Sequence, residues 1–312
     1  MQDGADTAYS YTLLHTRNPT INDNIELYSS QFGVKGTSRQ DIQGFLNNHR
    51  IDMELLEKTD SKQQPREESV FRTDNSFGDK GFLSTEECNT LVYFAKEVST
   101  ENDGYDHFKD KGSSPFSSNE KYSGIELSRA IELLEGGQVE AEAVQLYLSV
   151  VEAAKSHLEK KFKLVKPLYF NYIHLVQRSA IEGSEKVSEY SHPIHADNCV
   201  IKPDGSCIKE SPAFTERDWS AVVYLNSPVG GEFVITNNKY TVTESLQPSC
   251  GNIVGFSAET FHGVKAVEKG ERYAIGLWFT HQISRAVDMV LLQRRIDNAK
   301  EKNAARASKD EL

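Results

Sequence analysis

The chain has 312 residues, 38% of them hydrophobic and 10% aromatic, with a formal net charge of −11. Such length and composition support a sizeable core and exclude an intrinsically disordered chain. The acidic balance excludes a general nucleic-acid binder, which needs a cationic face for phosphates, and no apolar run approaches the roughly 18 residues of a spanning helix.

The opening "MQDGADTAYSYTLL" has no basic start, apolar run or small-residue cleavage site, so it is not read as a secretory signal peptide. "TAYSYTLLHTR" and "INDNIELYSSQF" carry apolar residues at helical spacing around "NPT", which predicts a helix-turn-helix over residues 1 to about 36. One such hairpin cannot bury its own faces, so it is expected to be the end of a longer helical repeat region. A short helix around "DIQGFLNNH" and a charged linker ending in "SKQQPREES" complete a predicted unit at 1–67.

From residue 68 the texture changes. Ser84 and Glu87 form a capping box before the amphipathic run "TEECNTLVYFAKEV". The polar stretch "ENDGYDHFKDKGSSPFSSNEKYSG" reads as a long loop, and loops of that length are functional or mobile. Ser123 and Glu126 read as a second capping box, opening a helix that Gly136 and Gly137 close, and "VEAEAVQLYLSVVEAAKSHLEKKF" reads as a long helix. After Pro167, "LYFNYIHLVQRS", "WSAVVYLN", "GEFVITN", "NIVGFS", "GVKAVE" and "RYAIGLWFTH" read as strands separated by turns. Helices followed by this strand run predict an α+β fold, a helix-supported β-sandwich or jelly roll over 68–283. A C-terminal helix over "RAVDMVLLQRRIDNAKEKNAARA" follows within 284–312, and the chain ends in Lys309-Asp310-Glu311-Leu312, the retrieval signal of the endoplasmic reticulum (ER).

Cys88, Cys199, Cys207 and Cys250 lack the paired short spacing of a zinc ribbon. They are read either as two disulfides, with Cys199–Cys207 stapling one short loop, or as buried thiols.

In "SHPIHADNCV", His195 and Asp197 stand at i and i+2, and on a strand such residues share a face. By itself His-x-Asp more often marks an exposed pair than a metal site. His262 starts "FHGVKAVEKGERYAIGLWFT", and Arg272 lies ten positions on, where a hairpin would return it beside the first strand. Two histidines and one aspartate make the facial triad of non-haem Fe(II) oxygenases, which leaves coordination positions open. A guanidinium suits the far carboxylate of 2-oxoglutarate, since it donates two parallel hydrogen bonds and stays charged. The pattern therefore predicts His195, Asp197 and His262 as metal ligands and Arg272 as the cosubstrate anchor. Tyr172 and Tyr224 are further candidates for 2-oxoglutarate, read equally as core tyrosines. His192 is read as an outer neighbour of the metal or a loop residue, Asn198 as a group orienting Asp197, and His174 and His281 as ordinary strand histidines. "GGEF" at Gly230–Phe233 matches the signature of cyclic-dinucleotide synthases, but its flanks make it a turn entering a strand.

With these residues assembled, the sequence resembles the leprecan-type procollagen prolyl 3-hydroxylases. The resemblance runs from about residue 68 to the end, through "SHPIHADNCV", "ESPAFTERDWSAVVYLN", "GGEFVIT", "GFSAETFHGVKAVEKGERYAIGLWFT" and "KDEL". "AYSYTLLHTRNPTINDNIELYSSQFGV" is similar to the last repeat of that family's tetratricopeptide-like region. The resemblance implies a double-stranded β-helix dioxygenase of the ER lumen, using Fe(II), 2-oxoglutarate, dioxygen and L-ascorbate. It would hydroxylate C3 of procollagen prolines that precede 4-hydroxyproline and glycine. It implies His195, Asp197 and His262 as iron ligands and Arg272 as the 2-oxoglutarate arginine. Implied partners are unfolded procollagen chains, the KDEL receptor, and, through the repeats, cartilage-associated-protein-like and cyclophilin-like proteins. A prolyl 4- or lysyl hydroxylase would present the same metal site, because regiochemistry lies in the substrate groove. A non-catalytic collagen-binding scaffold would need neither the triad nor Arg272, and a cupin-like metal module would not need Arg272. The loop at 101–122 is expected to help form the substrate groove. Met1 is expected to fall inside a longer repeat region.

Overall fold

The computed structural model describes residues 68–101, 117, 120–182 and 190–310. The helix-turn-helix and short helix expected within 1–67, most of the loop at 101–122, and Glu311 and Leu312 lie outside the described residues.

Strands β1 (Glu68–Arg72) and β2 (Ser76–Lys80) precede helix α1 (Thr85–Val98), short strand β3 (Thr100–Glu101) and strand β4 (Glu120–Glu126). Helices α2 (Leu127–Glu135) and α3 (Ala141–Phe162) follow, then β5 (Tyr169–Ala180), β6 (Tyr190–His195), β7 (Val200–Ile201), β8 (Cys207–Ile208) and β9 (Trp219–Tyr224). The remaining strands are β10 (Val229–Gly230), β11 (Phe233–Thr236), β12 (Val242–Leu246), β13 (Ile253–Ser257), β14 (His262–Lys265), β15 (Val267–Lys269) and β16 (Glu271–Thr280), before helix α4 (Met289–Asp310). The fold is mixed α+β, built on an eight-stranded sheet, β1-β2-β13-β9-β16-β5-β4-β3, and a four-stranded sheet, β12-β11-β14-β6. Every pairing is antiparallel.

The period-2 alternation of β16 shows how the large sheet is used. Tyr273, Ile275, Leu277 and Phe279 point to the helical side, where they join Ile173, Leu175, Ala221, Val223 and buried positions of α1–α4. Helix α3 contributes Val144, Tyr147, Leu148, Val151, Ala154 and Leu158, an apolar stripe at helical spacing. Each such fully buried large side chain contributes about 1.5–3 kcal/mol. The opposite face meets the small sheet: Tyr224, Val254, Phe256 and Ala274 pack with Phe233, Ile235 and Leu246. Arg272 shares this inner face with Ala274, Gly276 and Trp278.

Ser84 and Glu87 make the expected reciprocal capping box at α1. The second expected box does not form. Ser123 and Glu126 belong to β4, and α2 starts at Leu127 with no side-chain cap. Pairing with β5 wins over the local signal: Ser123 stands opposite Gln177 and donates to its Oε1 at 3.1 Å, while Tyr122 and Ile125 become buried. "GGEF" enters a strand as read, with Gly230 at φ 79° and Gly231 at φ 76° just before β11.

The hairpin expected between His262 and Arg272 is also corrected. Strand β14 pairs with β11 and β6, whereas β16 pairs with β5 and β9, so the chain crosses from one sheet to the other between them. "GVKAVE" breaks at Ala266, and β15 beyond it pairs with β10 instead of continuing β14. Strands β1–β4, β6–β8, β10 and β12 add to the strand runs read from sequence.

Both disulfides form, Cys88–Cys250 and Cys199–Cys207. The first ties α1 to the turn before β13 across a separation of 162 residues, so it removes much freedom from the unfolded chain. Replacing both Cys88 and Cys250 by serine is expected to lower unfolding free energy by about 2–5 kcal/mol in denaturant titrations. An unchanged midpoint would count against that role.

Candidate metal centre

The triad forms where β6 and β14 lie side by side. His195 ends β6 and His262 begins β14, and register sets them directly opposite. Asp197 follows two residues later in a loop fixed by hydrogen bonds from its own amide and that of Asn198 to Ala258 O, at 2.9 and 3.3 Å. One ligand atom from each of the three side chains lies within 4.8 Å of the others. His195 Nε2 is 3.6 Å from Asp197 Oδ1, and His262 Nε2 is 4.0 Å from Asp197 Oδ2.

The imidazoles are oriented by the backbone. His195 Nδ1 is 2.8 Å from Pro193 O and His262 Nδ1 is 2.8 Å from Thr260 O. A carbonyl only accepts, so each Nδ1 carries the proton and each Nε2 keeps its lone pair for a cation. His262 also packs on Phe256, with centroids 4.3 Å apart, and stacks on Phe233 at 5.5 Å. Burial, reinforced by His195, pushes the His262 pKa down to about 4, favouring the neutral form that ligates metals.

Burial by itself would raise the pKa of Asp197. The neighbouring His195 and His262 imidazoles and the Arg217 guanidinium outweigh it and hold the carboxyl well below the usual range. Ser220 Oγ on β9 donates to Asp197 Oδ2 at 2.5 Å, and Arg217 Nη1 lies 3.9 Å from Oδ1. Arg217 itself rests over Phe214 and Trp278, at 3.9 and 4.6 Å from their ring centroids. Two neutral imidazoles and one carboxylate, converging at the end of two strands, are a donor set suited to a divalent iron.

Arg272 projects from the large sheet toward the small one. It is 6% exposed, and its Nη1 donates to Gly231 O and Lys265 O, both at 3.3 Å. The approach needs glycine at 231, where an added Cβ would lie 3.1 Å from Arg272 Cδ. Among the described residues no carboxylate pairs with this guanidinium. Tyr224 stands opposite Ala274 on the same inner face, and its buried hydroxyl has no hydrogen-bond partner among the described residues. Burial pushes its pKa up to about 12, so it remains a donor. A buried cation without a carboxylate beside an orphaned hydroxyl fits an anionic ligand such as the distal carboxylate of 2-oxoglutarate.

The other candidates separate clearly. Tyr172 Oη donates to Glu126 Oε1 at 2.6 Å, so its hydroxyl is engaged away from Arg272. His192 stacks on His195 of the triad, with ring centroids 4.0 Å apart. Asn198 Nδ2 donates to Arg217 O at 2.8 Å; it fixes the residue beside Asp197 rather than Asp197 itself. His174 is buried against Tyr122, with Oη and Nδ1 3.1 Å apart, and His281 Nδ1 is 2.9 Å from Pro167 O. Ser220 and Arg217 were missed by sequence reasoning. The signal for Ser220 was its place in "WSAVVYLN", where alternation puts it on the face of Val222 and Tyr224.

The family model described as "2OG-Fe(II) oxygenase superfamily" matches residues 185–280, which include the triad and Arg272. Prolyl 3-hydroxylase 1 of Mus musculus is 44% identical over 207 residues, covering 64% of this chain and 27% of the relative. Prolyl 3-hydroxylase 2 of Gallus gallus is 42% identical over 205 residues, covering 64% of this chain and 29% of the relative. The match thus spans less than a third of the length of these relatives. Among solved structures, a Pseudomonas putida prolyl-4-hydroxylase aligns with a TM-score of 0.42 at 15% identity, covering 67% of this chain and 93% of that one.

Proposed function

We propose that this chain, which carries a 2OG-Fe(II) oxygenase domain, is a procollagen-proline 3-dioxygenase. In this reading it hydroxylates C3 of proline in Pro-Hyp-Gly sequences, with succinate and CO2 as coproducts and L-ascorbate maintaining the metal. The observation that carries the reading is the convergence of His195, Asp197 and His262 in one cluster. Identity of 41–44% to prolyl 3-hydroxylases 1 and 2 supports the choice of substrate and position. We assign the catalytic unit to 68–283 and a repeat remnant to 1–67. The two disulfides support residence in the secretory pathway, which we take to be the ER lumen.

His195 Nε2, His262 Nε2 and the Asp197 carboxylate would hold iron(II), which when bound supplies oxygen activation coupled to 2-oxoglutarate decarboxylation. Arg272 would hold the distal carboxylate of 2-oxoglutarate, with Tyr224 donating to the same group. Ser220 keeps Asp197 oriented, and the backbone acceptors at Pro193 and Thr260 keep both imidazoles in one tautomer. Phe214 is half exposed and rests on the buried Arg217, which lies beside Asp197 and over Trp278. The exposed Phe214 ring near Asp197 suits an extended proline-rich strand, whose rings pack on aromatic side chains.

The test is incubation with Fe(II), 2-oxoglutarate, ascorbate and a Pro-Hyp-Gly collagen peptide, followed by mass spectrometric location of added oxygen. Oxygen at proline C3 is expected. Succinate with oxygen at C4 or on lysine would replace the proposal with a related hydroxylase. Absence of both turnover and iron binding would leave a collagen-binding scaffold.

A further inference from the structure

The crossover between the two sheets, residues 265–267, is where the cosubstrate arginine is held. Its backbone is pinned at consecutive points: Lys265 N donates to Glu232 O at 2.8 Å, and Ala266 O accepts from Gly231 N at 2.9 Å. The next pin is a side chain. Val267 N donates to Glu120 Oε1 at 2.9 Å, and Ser191 Oγ, from β6, donates to the same oxygen at 2.7 Å. The same Ser191 proton is shared, as the longer arm of a bifurcated hydrogen bond, with Lys265 O at 3.2 Å, the carbonyl that also accepts from Arg272 Nη1.

Glu120 is fully buried and stands at the start of β4, far from Arg272 in sequence. A buried carboxylate is costly unless it is well bonded, and its Oε2 has no partner among the described residues. On the inner face it lies diagonal to Arg178, which register sets opposite Arg272. One carboxylate oxygen thus joins β4, β6 and β15 around the arginine's carbonyl cradle. Its described hydrogen bonds reach no residue of the triad.

We propose that Glu120 is a positioning residue for 2-oxoglutarate: through Ser191 and the Val267 amide it fixes the crossover whose Lys265 carbonyl orients the Arg272 guanidinium. The inference rests on the reading of Arg272 as the cosubstrate clamp. Only Oε1 makes the two bonds, so glutamine, which keeps a carbonyl oxygen, can replace it, whereas alanine cannot.

The experiment is calorimetric titration of 2-oxoglutarate into the Mn(II)-loaded full chain, alongside Mn(II) affinity and steady-state kinetics. Glu120→Ala is expected to weaken 2-oxoglutarate binding by about tenfold or more, with Mn(II) affinity and kcat at saturating cosubstrate retained. Glu120→Gln is expected to restore wild-type affinity to within about threefold. Wild-type affinity in the alanine variant overturns the proposal, as does a glutamine variant no better than alanine. Metal and cosubstrate affinity falling together would show a merely structural role and would also overturn it. If Glu120→Ala does not fold, Ser191→Ala takes its place, with several-fold weaker 2-oxoglutarate binding expected and no change overturning. Wild-type protein that binds no 2-oxoglutarate would remove the reading of Arg272 as well, so the two failures are distinguishable.

Discussion

Asp197→Ala is expected to abolish turnover and to remove tight iron binding while leaving the fold largely intact. Asp197 is the sole anion of the triad, so the remaining donors are two neutral imidazoles. Changes to outer neighbours of a metal typically cost about 10–100-fold in affinity, and loss of the charged ligand itself should exceed that. The fold should survive because the side chain packs in the site rather than in either apolar layer, and the loop's hydrogen bonds to Ala258 come from backbone amides. The check has two parts. Metal titration followed by thermal unfolding should show wild-type protein stabilised by Fe(II) or Mn(II) and the variant indifferent to both. Succinate formation should fall to background, and an unaffected rate would sink the site assignment.

Arg272→Ala is expected to act on the other substrate. Its guanidinium is buried, and two carbonyls are its only described acceptors. Truncating one partner of a buried hydrogen-bonded charge pair costs about 2–5 kcal/mol, roughly 30- to several-thousand-fold in 2-oxoglutarate affinity. Metal affinity should hold, since the triad's orientation comes from Pro193, Thr260 and Ser220. Arg272→Lys should fall between, because an ammonium keeps the charge but not the planar fork. The measurement is KM and Kd for 2-oxoglutarate beside the Kd for Mn(II). Equal losses in both affinities would show that Arg272 supports the fold instead of the cosubstrate.

What could be read from sequence followed the range of the interactions. The capping box at Ser84, the helix stop at Gly136 and the strand run after Pro167 are local patterns, and they were legible. The three residues of the triad were legible in the residue order and do come together, but the shared strand assumed for His-x-Asp does not form: β6 ends at His195 and Asp197 lies in the bend after it. The Ser123–Glu126 signal was overridden by pairing with β5, a contact to residues some fifty positions away. Arg272 was singled out by its spacing from His262, yet the hairpin assumed for that spacing does not form: the two residues lie on strands of different sheets. Ser220, Arg217 and Glu120 were invisible as site residues, since each acts across a distance in sequence that no motif encodes.

That arrangement gives the aromatic layer a second office. The histidines belong to the small sheet and Arg272 and Ser220 to the large one, and Phe233 and Phe256, 5.2 Å apart, fill the space between. The gap across which iron and cosubstrate would meet is therefore a hydrocarbon thickness. Drift in the size of these rings is drift in the spacing of the chemistry, so the core cannot be tuned for stability alone.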